Sequence, residues 1–152
     1  MRLQKDLREF LELLNSTSVN YVVVGGYAVA YHGSPRFTGD IDCLVELSTE
    51  NAERLIEVIN RFGFADLDIQ RSDFLNPDSV VQLGVPPNRI DLLTAIDGVT
   101  FDEVWRTRVT GQLDGLPVCF ISKELLLQNK RAAGRAKDLA DVVSLSKKNP
   151  GR

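Results

Sequence analysis

The stretch Val22–Val45, VVVGGYAVAYHGSPRFTGDIDCLV, decides how this chain is read. With Tyr21 in front, Tyr21-Val22-Val23-Val24 is a β-branched apolar run, the pattern of a buried strand. Gly25-Gly26 closes it. Tyr27 to Tyr31 is short and apolar, and His32-Gly33-Ser34-Pro35 stops it. That predicts a short helix with Gly33 as its C-cap. Arg36-Phe37-Thr38-Gly39 reads as loop, and Asp40 to Leu47 as the next strand, opening with Asp40-Ile41-Asp42.

The two aspartates are the most telling residues in that stretch. Carboxylates are poor strand formers and costly to bury. Residues i and i+2 of a strand share a side, so the pair stands roughly 6–7 Å apart at about 3.3 Å rise per residue. Like charges so placed repel unless a cation lies between them, and oxygen donors suit Mg²⁺ or Mn²⁺. The plain alternative is an edge strand with both aspartates in water. Two neighbours count against it. Asp91 sits inside Arg89-Ile90-Asp91-Leu92-Leu93, an otherwise apolar strand. Beside the first strand it completes a cluster of carboxylates that is unstable without a cation. Gly25-Gly26, at a strand-to-helix junction, lets a phosphate approach the backbone, although a Gly-Gly pair also serves simply as a tight turn. GGYAVA lacks the G-x-G-x-x-G spacing of a dinucleotide fingerprint, and the chain has no Walker A sequence.

Working outward, Leu3, Leu7, Phe10, Leu11 and Leu14 mark an amphipathic helix over 3–15. Thr49 caps a helix over 50–62. Phe64 to Ile69 alternates like a strand. Val80 to Val85 and Arg89 to Ala95 read as strands joined by Pro86-Pro87-Asn88. Phe101 to Arg106 is a short helix. Val118 to Ile121 is a strand behind the turn Asp114-Gly115-Leu116-Pro117. Ser122 caps a helix to about residue 133, and Gly134 separates it from a last helix over 135–148. Helices interleaved with strands that include a hairpin predict an α+β, mixed-sheet α/β domain. At 152 residues the size prior gives one domain, 1–152, with the basic helices of about 122–148 packed on it.

Composition narrows the class. Hydrophobic residues make up 43% and charged residues 26%, which excludes a disordered chain, a collagen-like repeat and a disulfide scaffold. No run approaches the roughly 20 apolar residues of a membrane span. The N-terminus, MRLQKDLREFLELLN, lacks a signal-peptide core, so a cytoplasmic location is expected. Cys43 and Cys119 fit a reducing compartment, and a single histidine, His32, excludes multi-histidine zinc sites. Net charge is −3 but uneven: residues 130–152 carry seven basic and two acidic side chains, and the body before them is acidic. The basic end could attract phosphate, or could be a solvated helix whose lysines suit the helix dipole.

The order strand, Gly-Gly, short helix, Arg-bearing loop, Asp-x-Asp strand and later strand aspartate resembles the nucleotidyltransferase superfold shared with DNA polymerase β. The resemblance is carried by Val22–Val45, by Arg89–Leu93 (RIDLL) and by Lys130–Leu145 (KRAAGRAKDLADVVSL). Within that superfold the chain looks most like the minimal nucleotidyltransferases and the AbiEii-like proteins of bacterial toxin–antitoxin systems. The R-x-T-x-D-I-D run Arg36–Asp42 and the K-x4-R-x2-D-L-x-D run Lys130–Asp141 point that way. The resemblance implies helices flanking a central mixed sheet. It implies that Gly25 and Gly26 cradle the triphosphate of an NTP and that Asp40 and Asp42 hold Mg²⁺ or Mn²⁺. Asp91 would complete the metal site and help deprotonate the acceptor hydroxyl. Arg36, Lys130, Arg135 and Lys137 would contact the triphosphate. The reaction would be in-line attack on the α-phosphorus, releasing pyrophosphate. Family acceptors are RNA 3′ ends, protein hydroxyls and small molecules such as aminoglycosides.

One departure is visible: many members place Ser after the first glycine, where this chain has Gly26. The basic C-terminal end favours an RNA acceptor such as tRNA, or a partner protein, that supplies the missing half of the site. The alternative is a catalytically inactive nucleotide-binding or antitoxin-type partner module. A DNA-binding domain is disfavoured by the negative charge and the lack of a recognition helix. Elsewhere, His32 reads as a helix-end residue and Cys43 as core. Asp138 and Asp141 read as ion-pair partners of residues one turn away, Arg135 and Lys137 among them. Trp105 reads as core or a partner surface. Nothing in the sequence decides the oligomeric state.

Overall fold

The computed structural model describes residues 3–35, 37–65 and 67–147. Leu7, Phe10, Leu11 and Leu14 form one buried face of α1 (Lys5–Ser16), as their helical spacing requires. A turn leads into β1 (Tyr21–Val24), all four residues of which are buried. There follow α2 (Gly25–Tyr31), β2 (Asp40–Val45), α3 (Thr49–Arg61), β3 (Val80–Leu83) and β4 (Arg89–Leu93). Then come α4 (Phe101–Arg106), β5 (Val109–Leu113), β6 (Leu116–Phe120), α5 (Lys123–Ala133) and α6 (Ala136–Lys147).

The strands form one sheet in the order β3-β4-β2-β1-β6-β5. β1 runs antiparallel to β2 and parallel to β6. β2 runs parallel to β4, and the outer pairs β3–β4 and β5–β6 are antiparallel hairpins. The expected mixed sheet with flanking helices is therefore present. Its inner strands read as apolar runs because both of their faces are covered, as with Ile41, Cys43 and Leu44 in β2. Buried Asn51 ties the far end of this region together. Its side-chain nitrogen donates to the Asn20 and Glu46 carbonyls, and its oxygen accepts from the Asn20 amide. Such saturation is what allows an amide to sit in a core.

Several boundaries and elements differ from expectation. The short helix starts at Gly25 rather than Tyr27, and its C-cap is His32, with Gly33 one residue beyond in the left-handed region. Ser48, not Thr49, caps α3, accepting from the Asn51 amide at 3.2 Å. β2 ends at Val45, β3 at Leu83 and β4 at Leu93, each two residues early. Among the described residues of 64–69 none lies in a strand; Phe64 and Ile69 pack on the core, and a 3₁₀ turn follows at Arg71–Phe74. β5 was not expected at all. Asp114 and Gly115 both have positive φ, 50° and 80°, and close it against β6, the geometry of a two-residue hairpin turn.

Candidate active site

The sheet register builds the site. Asp42 in β2 lies opposite Val24 of β1 on one side and Asp91 of β4 on the other. Gly25 therefore follows directly on a neighbour of Asp42. Its φ is +66°, and a Cβ there would collide with the Asp42 carboxylate, so only glycine satisfies both the backbone and the space. Next to it, a Cβ on Gly26 would stand 3.0 Å from the Thr38 hydroxyl oxygen. The Thr38 side chain thus fills the space beside Gly26, and its hydroxyl donates to the Asp40 carbonyl at 2.9 Å.

Asp40, Asp42 and Asp91 converge. One carboxylate oxygen from each lies within 4.8 Å of the others. A fourth residue, which the sequence reading did not single out, joins them. Arg89 is directly opposite Asp40 in the register. Its Nε donates to Asp91 at 3.1 Å, and one Nη donates to Asp91 and to Asp40, each at 3.0 Å. The signal was present in the i, i+2 spacing of Arg89 and Asp91, which puts both on one strand face. The Asp42 carboxyl is pushed up to about 7, first by burial and then by the charges of Asp40 and Asp91. A donor set of hard oxygens carrying more negative charge than Arg89 balances is one that a divalent cation fits.

Asp40 and Asp42 open onto a cavity of about 600 Å³, with Asp91 buried beside them. Gly25, Gly26 and Thr38 flank it on one side, Leu93, Ala95 and Ile96 line a less polar wall, and the α5–α6 corner closes it. Lys130, Arg135 and Lys137 all line that corner. The fold thus brings these three expected cations to the aspartates, while Arg36 lies outside the described residues. The cations differ in character. Lys130 is buried, with Nζ 3.3 Å from Asp138 and 3.0 Å from Asp141. Arg135 holds Asp138 through Nε at 2.6 Å yet is 71% exposed. Lys137 is exposed. Arg135 is the main reason that the Asp138 carboxyl is held down, to about 2, against the opposing effect of burial. Asp138 therefore pairs with Arg135 as expected, but its second partner, and that of Asp141, is Lys130 from the preceding helix. His32 places Nε2 2.7 Å from the Ile121 carbonyl oxygen, which makes it a helix-end tie to the sheet. Among the described residues, no helix is long and apolar enough to cross a membrane.

Carboxylates at one pole and cations at the other, across one cavity, suit a polyanion carried with divalent metal. Solved structures share the architecture. A protein of Thermotoga maritima (TM1012), described as a nucleotidyltransferase, is 18% identical with a TM-score of 0.60 over 93% of this chain and 91% of its own. The lincosamide antibiotic adenylyltransferase LnuA, solved with lincomycin bound, is 16% identical with a TM-score of 0.57 over 96% and 98%. An antigenic nucleotidyltransferase-like protein from Paracoccidioides brasiliensis is 18% identical with a TM-score of 0.53 over 95% and 78%. No curated protein matches the sequence significantly. These likenesses are of fold. The match that reaches sequence level spans residues 1–147, nearly the whole chain. On that match the chain belongs to the family described as nucleotidyltransferase of unknown function (DUF6036).

Proposed function

We propose that this chain is a metal-dependent nucleotidyltransferase that moves a nucleoside monophosphate from an NTP to a hydroxyl acceptor. One observation carries the reading: oxygens of Asp40, Asp42 and Asp91, from two adjacent strands, come within 4.8 Å of one another beside Gly25. Those three residues would hold Mg²⁺ or Mn²⁺, which when bound offsets charge on the attacking and leaving oxygens. The chain's own residues do the rest. The Gly25 and Gly26 backbone, with no side chain in the way, borders the triphosphate. Arg135 and Lys137 face it from α5–α6. Asp91, oriented by Arg89, accepts the proton of the acceptor hydroxyl. That oxygen then bonds the α-phosphorus as the bond to pyrophosphate breaks, so the protein acts chiefly by position and charge.

The acceptor is the less constrained half. The basic C-terminal end supports an RNA such as tRNA, or a partner protein, that completes the site. The lincosamide adenylyltransferase among the structural neighbours is nearly the same length, so chain length leaves a small-molecule hydroxyl open as well. A toxin role in a toxin–antitoxin pair rests on the Arg36–Asp42 and Lys130–Asp141 runs.

The test is thermal stabilisation by each of the four NTPs with and without Mg²⁺, in the natural chain and in Asp42→Asn. A nucleotide at a hundred times its dissociation constant adds about 2.7 kcal/mol. Stabilisation that needs metal and Asp42, followed by transfer of label from that NTP, establishes the reading. Binding and transfer unchanged in Asp42→Asn sink it. Binding without turnover in the presence of tRNA and cell extract favours the inactive-module alternative.

A further inference from the structure

The α5–α6 corner carries a feature that the carboxylate site does not explain. Asp138, 1% exposed, collects four donors. The Arg135 backbone amide, its Nε and one Nη reach it at 3.2, 2.6 and 3.2 Å. Lys130 Nζ, from the other helix, reaches it at 3.3 Å. Between the helices Gly134 turns through φ +69°, so Lys130 and Arg135 approach the same carboxylate from opposite sides of the turn. Lys130 also meets Asp141, at 3.0 Å. In this braced corner Lys130, Asp138 and Asp141 are buried, whereas the Arg135 side chain is exposed and borders the cavity.

A buried lysine held between two carboxylates is in no position to follow a ligand, because it would give up two close, buried ion pairs. An exposed guanidinium anchored through Nε still has donors to offer: a guanidinium carries five N–H groups. We infer that Asp138 is a positioning residue for anion binding: it aims Arg135 at the triphosphate, while Lys130 serves as the internal counter-ion of the corner and does not contact phosphate. Lys137, exposed on the same cavity, is the second phosphate-facing cation. The inference deepens the nucleotide site proposed above and rests on it.

Charge alone and positioning predict opposite signs here. Removing a negative charge beside a polyanion strengthens binding by Coulomb's law. If Asp138 works by holding Arg135, removing its charge weakens binding. The experiment is calorimetric titration of inorganic tripolyphosphate, without divalent metal, into the full chain and into Asp138→Asn, Arg135→Gln, Arg135→Lys and the Asp138→Asn/Arg135→Gln double variant. Circular dichroism at the titration temperature verifies that each is folded. Loss of a charge-assisted hydrogen bond costs roughly tenfold to a hundredfold in affinity. Arg135→Gln and Asp138→Asn are each expected to weaken binding in that range, and the double variant no further than Arg135→Gln alone. Arg135→Lys keeps the charge but loses the planar fork, and it too is expected to bind more weakly. Because Arg135 is 71% exposed, its variants fold even if Asp138→Asn does not, and Arg135→Lys then decides. Tripolyphosphate bound as well or better by Asp138→Asn, or equally by Arg135→Lys, overturns the positioning role and leaves the nucleotide site standing. No binding by the natural chain, with metal or without, removes both.

Discussion

Two charged clusters face each other across the cavity, and they are built on opposite plans. On the sheet, three clustered aspartates have beside them one guanidinium, that of Arg89, which bonds Asp40 and Asp91. At the helix corner, Asp138 and Asp141 share two cations, Lys130 and Arg135. Among the described residues, the first cluster is short of positive charge, and the second pairs each aspartate with a cation. The burial that pushes the Asp42 carboxyl up to about 7 comes without a partner, whereas Asp138 is held down to about 2 by its partners. The difference separates a site left open for a cation from a site whose charges fix geometry. Both are clusters of aspartates at least partly buried, so acidity alone would have confused them.

The comparison breaks most visibly at Lys130. Lys130→Met removes the lysine that sits 3.3 Å from Asp138 and 3.0 Å from Asp141, and removal of one partner of a buried pair costs about 3–5 kcal/mol. Urea unfolding should show a loss of that order, and an unchanged midpoint would mean that the corner is not braced as described. Asp42→Asn should do the reverse to stability and abolish function. The metal-free protein gains stability at pH 8, while transfer falls by more than the roughly 10–100-fold that loss of an outer-shell partner costs. Denaturant midpoints and labelled-NTP transfer on the same sample check both halves. Arg89→Gln stands between these: loss of the hydrogen bonds to Asp40 and Asp91 should weaken Mn²⁺ affinity by about 10–100-fold, read by metal titration.

The sharpest contrast is in pH. Between its ordinary value of 3.8 and about 7, Asp42 binds a proton in the folded chain that the unfolded chain has released. Its contribution therefore falls as pH rises through that window, by at most about 1.4 kcal/mol per pH unit. Asp138 acts the other way. Its contribution is present above 3.8 and is lost as pH falls toward about 2. Asp42→Asn should flatten the upper limb and leave the lower one, and saturating Mg²⁺ should flatten the upper limb too. Denaturant midpoints from pH 3 to 8 test this, and an upper limb that survives Asp42→Asn assigns it to another group.

The centre of the sheet was legible because its strands are apolar on both faces and because aspartates in such strands stand out. Asp40, Asp42 and Asp91 were therefore found from one chain. What was missed needed the third dimension. Val109–Leu113 carries Gly111 mid-strand and a half-exposed alternation, a weak signal for an edge strand. Asp114-Gly115 was seen as a turn without its first arm. Phe64–Ile69 alternates in sequence, but only Phe64 and Ile69 are packed against the core among its described residues, and Leu67 is exposed. Arg89 became a site residue only through the β2–β4 register. Lys130 and Asp138 meet across Gly134, and helical spacing predicts contacts along one helix, not around a corner.

Gly25 has a use for experiments in living cells. Any larger residue there must displace the Asp42 carboxylate and strain a backbone at φ +66°. Gly25→Ala would thus disable the site while leaving every ionisable group, and so the isoelectric point and long-range field, as they were. A phenotype lost in that variant reports chemistry; one retained reports association through surface charge.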